Sequence, residues 1–291
     1  MEQWLLATVN GLAYGALLFM LAAGLSLSLG VLRIANLAHG TLYLFGGYIA
    51  WEMLRSAGSY PAALVVSVIA VGVLGASLYR LLIAQQGLVH NELGQVLLTV
   101  GVLLFLDDLI MVIWGGVPQR IAEPSLLARS VPFGDLSIPF YRLFLIGVAL
   151  AVGVSLWLFL ERTRWGSRVR ATVDDSELAA CSGVNPRTVH MLIFAGGAGL
   201  AGLGGLLGSP VVGLYPGADL EVLILALVVV VVGGMGSLLG SAVGAFLVGV
   251  LDTWGKTFFP EFGPYSLFGL MMVMLLLRPT GLLGREVVVR R

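Results

Sequence analysis

The chain carries few of the groups that perform chemistry. It has one cysteine, Cys181, which excludes an intrachain disulfide and a thiolate metal cage and leaves a structural thiol as the simplest reading. Its three histidines stand far apart, at positions 39, 90 and 190, so no metal site is expected. Charged residues make up 11% of the sequence, and sixteen cations against sixteen anions give no net field toward nucleic acid or an acidic partner. A phosphate loop of the form G-x-x-x-x-G-K-[ST] is missing, which excludes ATP hydrolysis by the common route. There is no serine nucleophile motif and no metal-binding helix pair, and no carboxylates stand where two spans would share a proton, which argues against an intramembrane enzyme. The first stretch, MEQWLLATVNGLAYG, lacks the basic leader and small-residue cleavage site of a secretory signal, so the first apolar run is expected to remain as a helix.

What the chain has in abundance is apolar length. Hydrophobic residues make up 58% of it, and its mean hydropathy of +1.00 exceeds what a water-soluble core needs. A helix needs about 20 apolar residues to cross the hydrocarbon. Such runs stand near 4–32, 36–54, 60–83, 92–115, 141–160, 188–213, 219–233, 238–254 and 264–278. Three of them, 36–54, 219–233 and 238–254, carry polar residues or abut glycine-rich breaks, as tilted or discontinuous helices do. The expected fold is all-α: a polytopic transmembrane helical bundle of eight or nine membrane segments, some short or discontinuous, forming one membrane domain over residues 1–291. With the 162–189 loop on the cytoplasmic side, eleven of the sixteen Lys and Arg residues fall on that side, Arg33, Arg285, Arg290 and Arg291 among them. That asymmetry places the C-terminus inside and, with nine crossings, the N-terminus outside. The proline-rich external segment 116–140 reads as an ordered cap or a docking surface.

Charge is densest in ERTRWGSRVRATVDDSELAACSGVNPRTVH, residues 161–190, which holds nine of the thirty-two charged residues. Arg162, Arg164, Arg168 and Arg170 follow a span and suit anionic headgroups at its end. TVDDSELAACSGVN then reads as a short helix: acids suit its N-terminus, Gly183 ends it, and Asn185-Pro186 restarts the chain. With Ala179, Ala180, Cys181 and Ser182 all small, such a helix lying along the membrane fits a groove on another protein. An ordinary solvated loop is the alternative.

Glu177-x-Ala179-x-x-x-Gly183 resembles the EAA loop by which ABC importer permeases engage their ATPase subunits, with Leu178 in place of the second alanine and no downstream Leu-Pro. Three further stretches go with it: NGLAYGALLFMLAAGLSLSLGVLRIANLAHGTLYLFGGYIAW at 10–51, GGMGSLLGSAVGAFLVG at 233–249 and RPTGLLGR at 278–285. Together they are similar to the LivH-type permeases of branched-chain amino-acid ABC importers, in order and spacing over nearly the whole chain. Length favours that subunit over its longer LivM-type partner, and urea-importer permeases share similar motifs. The resemblance implies a multi-pass permease of the inner (cytoplasmic) membrane that is not itself an enzyme. Its implied partners are a second, LivM-type permease, two ATPase subunits that hold ATP and Mg, and an extracytoplasmic binding protein. No cofactor is expected on this chain. The loop 162–189 becomes the coupling element, with Asp174, Asp175, Glu177, Ala179, Ala180 and Gly183 as its ATPase contacts, and alternating access would move the spans 141–160 and 188–213. The small-xxx-small series Ala195/Gly199, Gly197/Ala201/Gly205, Ala198/Gly202 and Gly204/Gly208 suits such motion, and static packing equally.

Polar groups at membrane depth are costly and therefore mark a candidate pathway. Asn36, Gly40, Tyr43 and Gly47 recur at i, i+4, i+7 and i+11, with His39 beside them. They are expected to form a half-helix facing the translocation path; the alternative is that Asn36 and His39 merely cap it. His39 has no second ligand at i+3 or i+4 for a metal. Gly233, Gly234, Gly236 and Ser237 interrupt two apolar runs, as a break lining the pathway opposite that stripe or as a simple crossing of helices at glycine. Asp107 and Asp108 lie within a span, about 100° apart around the helix, so both cannot serve one site equally. They would pair with Arg142 or the partner permease, or read a substrate ammonium. A secondary transporter or channel is the rival class, and urea, amides or other amino acids are the rival cargoes.

Overall fold

Helix meets helix in this molecule mainly at glycine. The computed structural model describes residues 2–32, 36–84, 92–133, 136–261 and 263–284. Arg33, Arg285, Arg290 and Arg291 of the orientation count, and His90, lie outside the described residues. Helix α1 (Glu2–Leu27) runs on into a π-helical turn (Ser28–Leu32), and α2 (His39–Ala57) follows. Next come α3 (Tyr60–Leu78) with a second π-helical turn (Tyr79–Ile83), then α4 (Glu92–Trp114). A small antiparallel hairpin, β1 (Ser130–Phe133) and β2 (Leu136–Pro139), precedes α5 (Phe140–Arg162), α6 (Arg164–Asp174) and α7 (Ser176–Cys181). The chain then forms α8 (Pro186–Val212), α9 (Ala218–Gly233), α10 (Leu238–Phe258) and α11 (Gly263–Leu277).

Among the described residues, six helices are long and apolar enough to cross a membrane: α1, α3, α4, α5, α8 and α10. The polytopic helical body anticipated from the sequence is thus present, and the hairpin is its one β addition among the described residues. The other three expected segments differ in kind. At 1.5 Å per residue α9 and α11 reach only about 24 and 23 Å against a hydrocarbon core of about 30 Å, and α2 carries Glu52 and Arg55.

The buried centre is made by α1 and α8. Gly24 of α1 abuts Gly197 of α8; Gly46 of α2 abuts Gly202; Gly205 lies against the backbone of Tyr43 and Gly47; and Gly75 of α3 meets Ala198. Where α2, α3 and α8 cross, Ser67 Oγ donates to the Gly46 and Gly202 carbonyls at 2.8 and 3.1 Å. Lipid tails are as apolar as leucine, so this close packing and these hydrogen bonds, not burial from water, hold the helices together. Most of the small-residue series in α8 is occupied by such contacts. On the other flank of α1, Gly11 and Gly15 seat α10 at Val250 and Ala245–Phe246.

The segment between α4 and β1 is stapled to the C-terminal end of α8. Gln119 and Leu214 exchange backbone hydrogen bonds of 2.7 and 2.8 Å, and Ile121 N donates to Ser209 Oγ at 3.0 Å. Arg120 donates through Nε and Nη2 to the Pro210 carbonyl, satisfying an acceptor that the helix terminus leaves open.

Candidate functional site: a coupling hairpin and a polar seam

The charged loop folds as two short helices joined by one residue. Thr163 caps α6 by accepting from Gly166 N at 3.0 Å. Asp175 ends α6 and caps α7, its Oδ1 accepting from Glu177 N and Leu178 N at 2.9 and 3.0 Å. The far end of α7 closes by a Schellman arrangement: Val184 N reaches the Ala179 carbonyl, Gly183 N reaches that of Ala180, and Gly183 takes a φ of +84°. Asn185 Oδ1 then caps α8 at Arg187 N and Thr188 N, with Pro186 in the first turn. The expected short helix, with its acidic start, Gly183 stop and Asn-Pro restart, is present in that form.

The hairpin is tied to the bundle. Val169 of α6 packs with Val189 and Ile193 of α8, and Leu27, Val31, Leu160 and Val184 close around them. Arg170 bonds the Leu160 carbonyl and pairs with Glu161 at 3.6 Å, while Arg168 lies over the Trp165 ring at 4.8 Å. Asp174, Asp175, Glu177, Ala180 and Gly183 are exposed, but Ala179 is turned inward with 4% of its surface open. The expectation that Ala179 is an outward contact is therefore corrected: on a helix this short, one position in each turn must face the body that carries it. The residue the sequence reading left out is Leu178, which stands 66% exposed beside those acids. Its signal was there, as the departure from the EAA pattern.

The membrane stripe is built differently from its expected role. Asn36, His39, Gly40, Tyr43 and Gly47 are all buried. Around them the chain's own helices fill the space. A Cβ on Gly40 would strike the Asp219 carbonyl, Gly47 lies on Leu214, and the Tyr43 ring lies on Gly204 and Gly208. The stripe is thus covered by α8 and α9 and leaves no room for substrate at its glycines. Nor do Asn36 and His39 cap α2, which has no side-chain cap. The His39 ring instead donates from Nε2 to the Leu21 carbonyl of α1 at 3.0 Å, and Asn36 Oδ1 is buried without a partner.

The GGMGS break is a tight turn between two antiparallel helices. Gly233 and Gly240 touch backbone to backbone, Gly234 and Gly236 take positive φ, and Ser237 Oγ caps α10 at Gly240 N. The turn seats Gly30 of the π-helical turn that follows α1, and Leu282 N and Leu283 N bond the Val232 and Gly233 carbonyls at 2.9 and 3.0 Å. It does not oppose the α2 stripe: Gly40 meets the other end of α9, about 20 Å away along that helix.

That other end holds the groups the sequence reading missed. Asp219, in the first turn of α9, has 1% of its surface exposed and accepts from Thr41 Oγ1 of α2 at 3.0 Å. Asp107 of α4 is half-buried with Oδ1 shut from solvent, and the Asp219 and Asp108 carboxylates are its electrostatic neighbours. Asp108 points outward from α4, in line with the 100° separation, and neither aspartate pairs with Arg142 among the described residues. Asp252 of α10 is also buried and pairs with Lys256 at 2.7 Å. In the loop before α9, Tyr215 donates to Glu221 Oε2 at 2.7 Å, and that bond holds the phenol above its ordinary value. No three His, Cys, Asp or Glu residues form a metal-ligand set among the described residues.

Comparison with known proteins gives this architecture its relatives. The chain is 32% identical, over 97% of its length and 96% of the relative's, to the high-affinity branched-chain amino acid transport system permease protein BraD of Pseudomonas aeruginosa. It is 27% identical to LivH of Salmonella typhimurium, a permease protein of the same description, over 95% of this chain and 94% of that one. Among solved structures, PsaBC from Streptococcus pneumoniae in complex with Fab matches with a TM-score of 0.52 at 13% identity, covering 92% of this chain and 89% of that one, a likeness of fold alone. The family profile described as branched-chain amino acid transport system / permease component matches residues 7–277, and the chain belongs to that family.

Proposed function

We propose that this chain is one permease subunit of an ABC importer that moves branched-chain or closely related amino acids inward across the cytoplasmic membrane. Its partners in this reading are a second permease, two ATPase subunits that bind ATP and Mg, and an extracytoplasmic binding protein. The short helices α2, α9 and α11 complete nine crossings, with the N-terminus outside and the hairpin α6–α7 inside.

The observation that carries the reading is the form of that hairpin. Leu178 projects as an apolar knob among Asp174, Asp175 and Glu177, on a helix whose two ends are fixed by Asp175 and Gly183. A knob with an acidic rim suits a partner pocket with an apolar floor and a basic edge. Because Val169 links the hairpin to α1, α5 and α8, a displacement of α7 reaches three long helices at once. Helix α8 then carries it to the external segment through the Arg120, Ile121 and Gln119 contacts. Alternating access follows when ATP closes the partner ATPases and moves the docked hairpin.

The test is a reconstituted importer carrying Leu178→Glu or Gly183→Val. Leucine uptake is expected to fall at least about tenfold, with the subunit still present in the membrane, since a charge in an apolar pocket or strain at a positive-φ site spoils docking. Wild-type uptake in both variants would reject the coupling assignment.

A further inference from the structure

We propose that the turn between α9 and α10, together with the segment 278–284 that follows α11, forms a second docking surface for an ATPase subunit, beside the hairpin α6–α7, with Met235 and Leu283 as its apolar contacts. This rests on the permease reading above and adds a second place where the ATPase grips the chain.

Two stretches far apart in sequence meet here backbone to backbone. Besides the bonds from Leu282 and Leu283 to the α9 end, Gly281 N closes the segment on the Arg278 carbonyl at 3.0 Å. Gly234, Gly236 and Gly281 all take positive φ. A Cβ on Gly281 would lie 2.5 Å from Gly234 Cα, and one on Gly30 would lie 2.5 Å from Gly236 Cα, so a side chain at either would push the segments apart. Leu282 turns inward against the core, and Leu283 turns outward with 50% of its surface open. Met235, between Gly234 and Gly236, is 66% exposed. A loop tip is ordinarily mobile. This one is braced from two sides, and a braced apolar knob binds at little ordering cost. The unbranched thioether of methionine then adapts to an irregular pocket.

Position and size identify the occupant. The end of α1 and its π-helical turn support both surfaces: Leu27 and Val31 pack with Val169 of the hairpin, while Gly30 abuts Gly236. Met235 and the hairpin therefore stand at the same end of the bundle, on two sides of one helix about 10–12 Å thick. Helix α7 is six residues long, about 9 Å, whereas a stable interface takes about 20–30 residues from each partner. A subunit that grips α7 must cover neighbouring surface as well, and the braced turn offers it a rigid apolar contact. Lipid is the rival occupant for such a knob. Helix ends that rest among headgroups carry Trp, Tyr, Lys or Arg, as the far end of α10 does, where Trp254 and Phe258 pack on Trp4. The turn 233–237 has none of these, and Arg278 is folded back to donate to the Leu282 carbonyl at 3.4 Å.

The experiment uses the complete importer with its binding protein in proteoliposomes, carrying photoreactive benzoylphenylalanine at position 235, at 178 or, as a control, in place of exposed Met272 on α11. Illumination is expected to join positions 235 and 178, but not 272, to the ATPase subunit. Met235→Glu should cut leucine uptake by about fivefold or more, and Met235→Leu should leave it within about twofold of wild type, because leucine enters an apolar pocket and a carboxylate does not. ATPase cross-linking at 178 with none at 235, or cross-linking of 235 to lipid, overturns the second surface and leaves the hairpin assignment standing. Wild-type uptake by Met235→Glu also overturns it. If Met235→Glu is lost from the membrane, the cross-link decides, because the photoreactive residue replaces one exposed apolar side chain with another. Absence of ATPase cross-links at both 178 and 235, in an assembled complex, would overturn this proposal and the coupling reading together.

Discussion

The hairpin α6–α7 and the seam between α2 and α9 both carry acidic residues, and they use them in opposite ways. In the hairpin, Asp175 is fully employed by two backbone amides within its own turn, and Asp174 and Glu177 stand in water. In the seam, Asp219 binds a hydroxyl 178 residues away and keeps an oxygen with no partner. One acid stabilises a local shape that a partner can grip. The other is held in a packed seam between two helices, where a polar group is costly to bury.

The sharpest way to break the comparison is through the glycines of the two regions. A Cβ at Gly40 would lie 2.2 Å from the Asp219 carbonyl oxygen, whereas one at Gly183 meets nothing within 4 Å. Gly40→Val should therefore force α2 off α9 and cost about 3 kcal/mol or more, read as a lower unfolding midpoint of the purified subunit. Gly183→Ala should cost only about 1–2 kcal/mol, the strain of its positive φ, and lower the midpoint by a few degrees at most. Equal effects at the two sites would mean that the α2–α9 contact is not tight.

That contrast also marks what a sequence can disclose. The hairpin was legible because its determinants are local: a cap, a stop glycine and an Asn-Pro restart act over three or four residues. The α2 stripe was legible as a pattern and misassigned as a site, since periodicity says which residues share a face of a helix and not what covers that face. Tyr43 and Gly47 proved to be packing surfaces for α8. Asp219 was passed over because an acid in the first turn of a helix is ordinary, and its bond to Thr41 arises only when two distant helices converge. Leu178 was visible throughout, as an apolar residue where the family pattern has alanine, but whether it faced the partner or the bundle depended on the rotation of α7.

A smaller effect tests the cap alone. Asp175→Ala removes the acceptor for Glu177 N and Leu178 N and should cost about 1 kcal/mol, confined to α7. Asp175→Asn and Asp175→Ser, which still cap, should restore coupling in the uptake assay. Rescue by these neutral residues would show that the position serves geometry.

The mildest perturbation leaves the sequence intact. Cys181 is the chain's one cysteine and is exposed at the end of α7, so a membrane-impermeant maleimide reports on that helix without competition from any other thiol of this subunit. In intact cells the reagent should leave Cys181 unmodified, and in inverted vesicles stripped of ATPase subunits it should modify it readily. Rebinding the ATPase subunits should then slow modification several-fold, because a knob seated in a pocket shields the adjacent turn. Modification from outside would invert the membrane orientation. Unslowed modification after rebinding would detach Leu178 from its pocket while leaving the Thr41–Asp219 seam to be judged on its own, because a hairpin held by caps and a seam held by long-range contacts can fail independently.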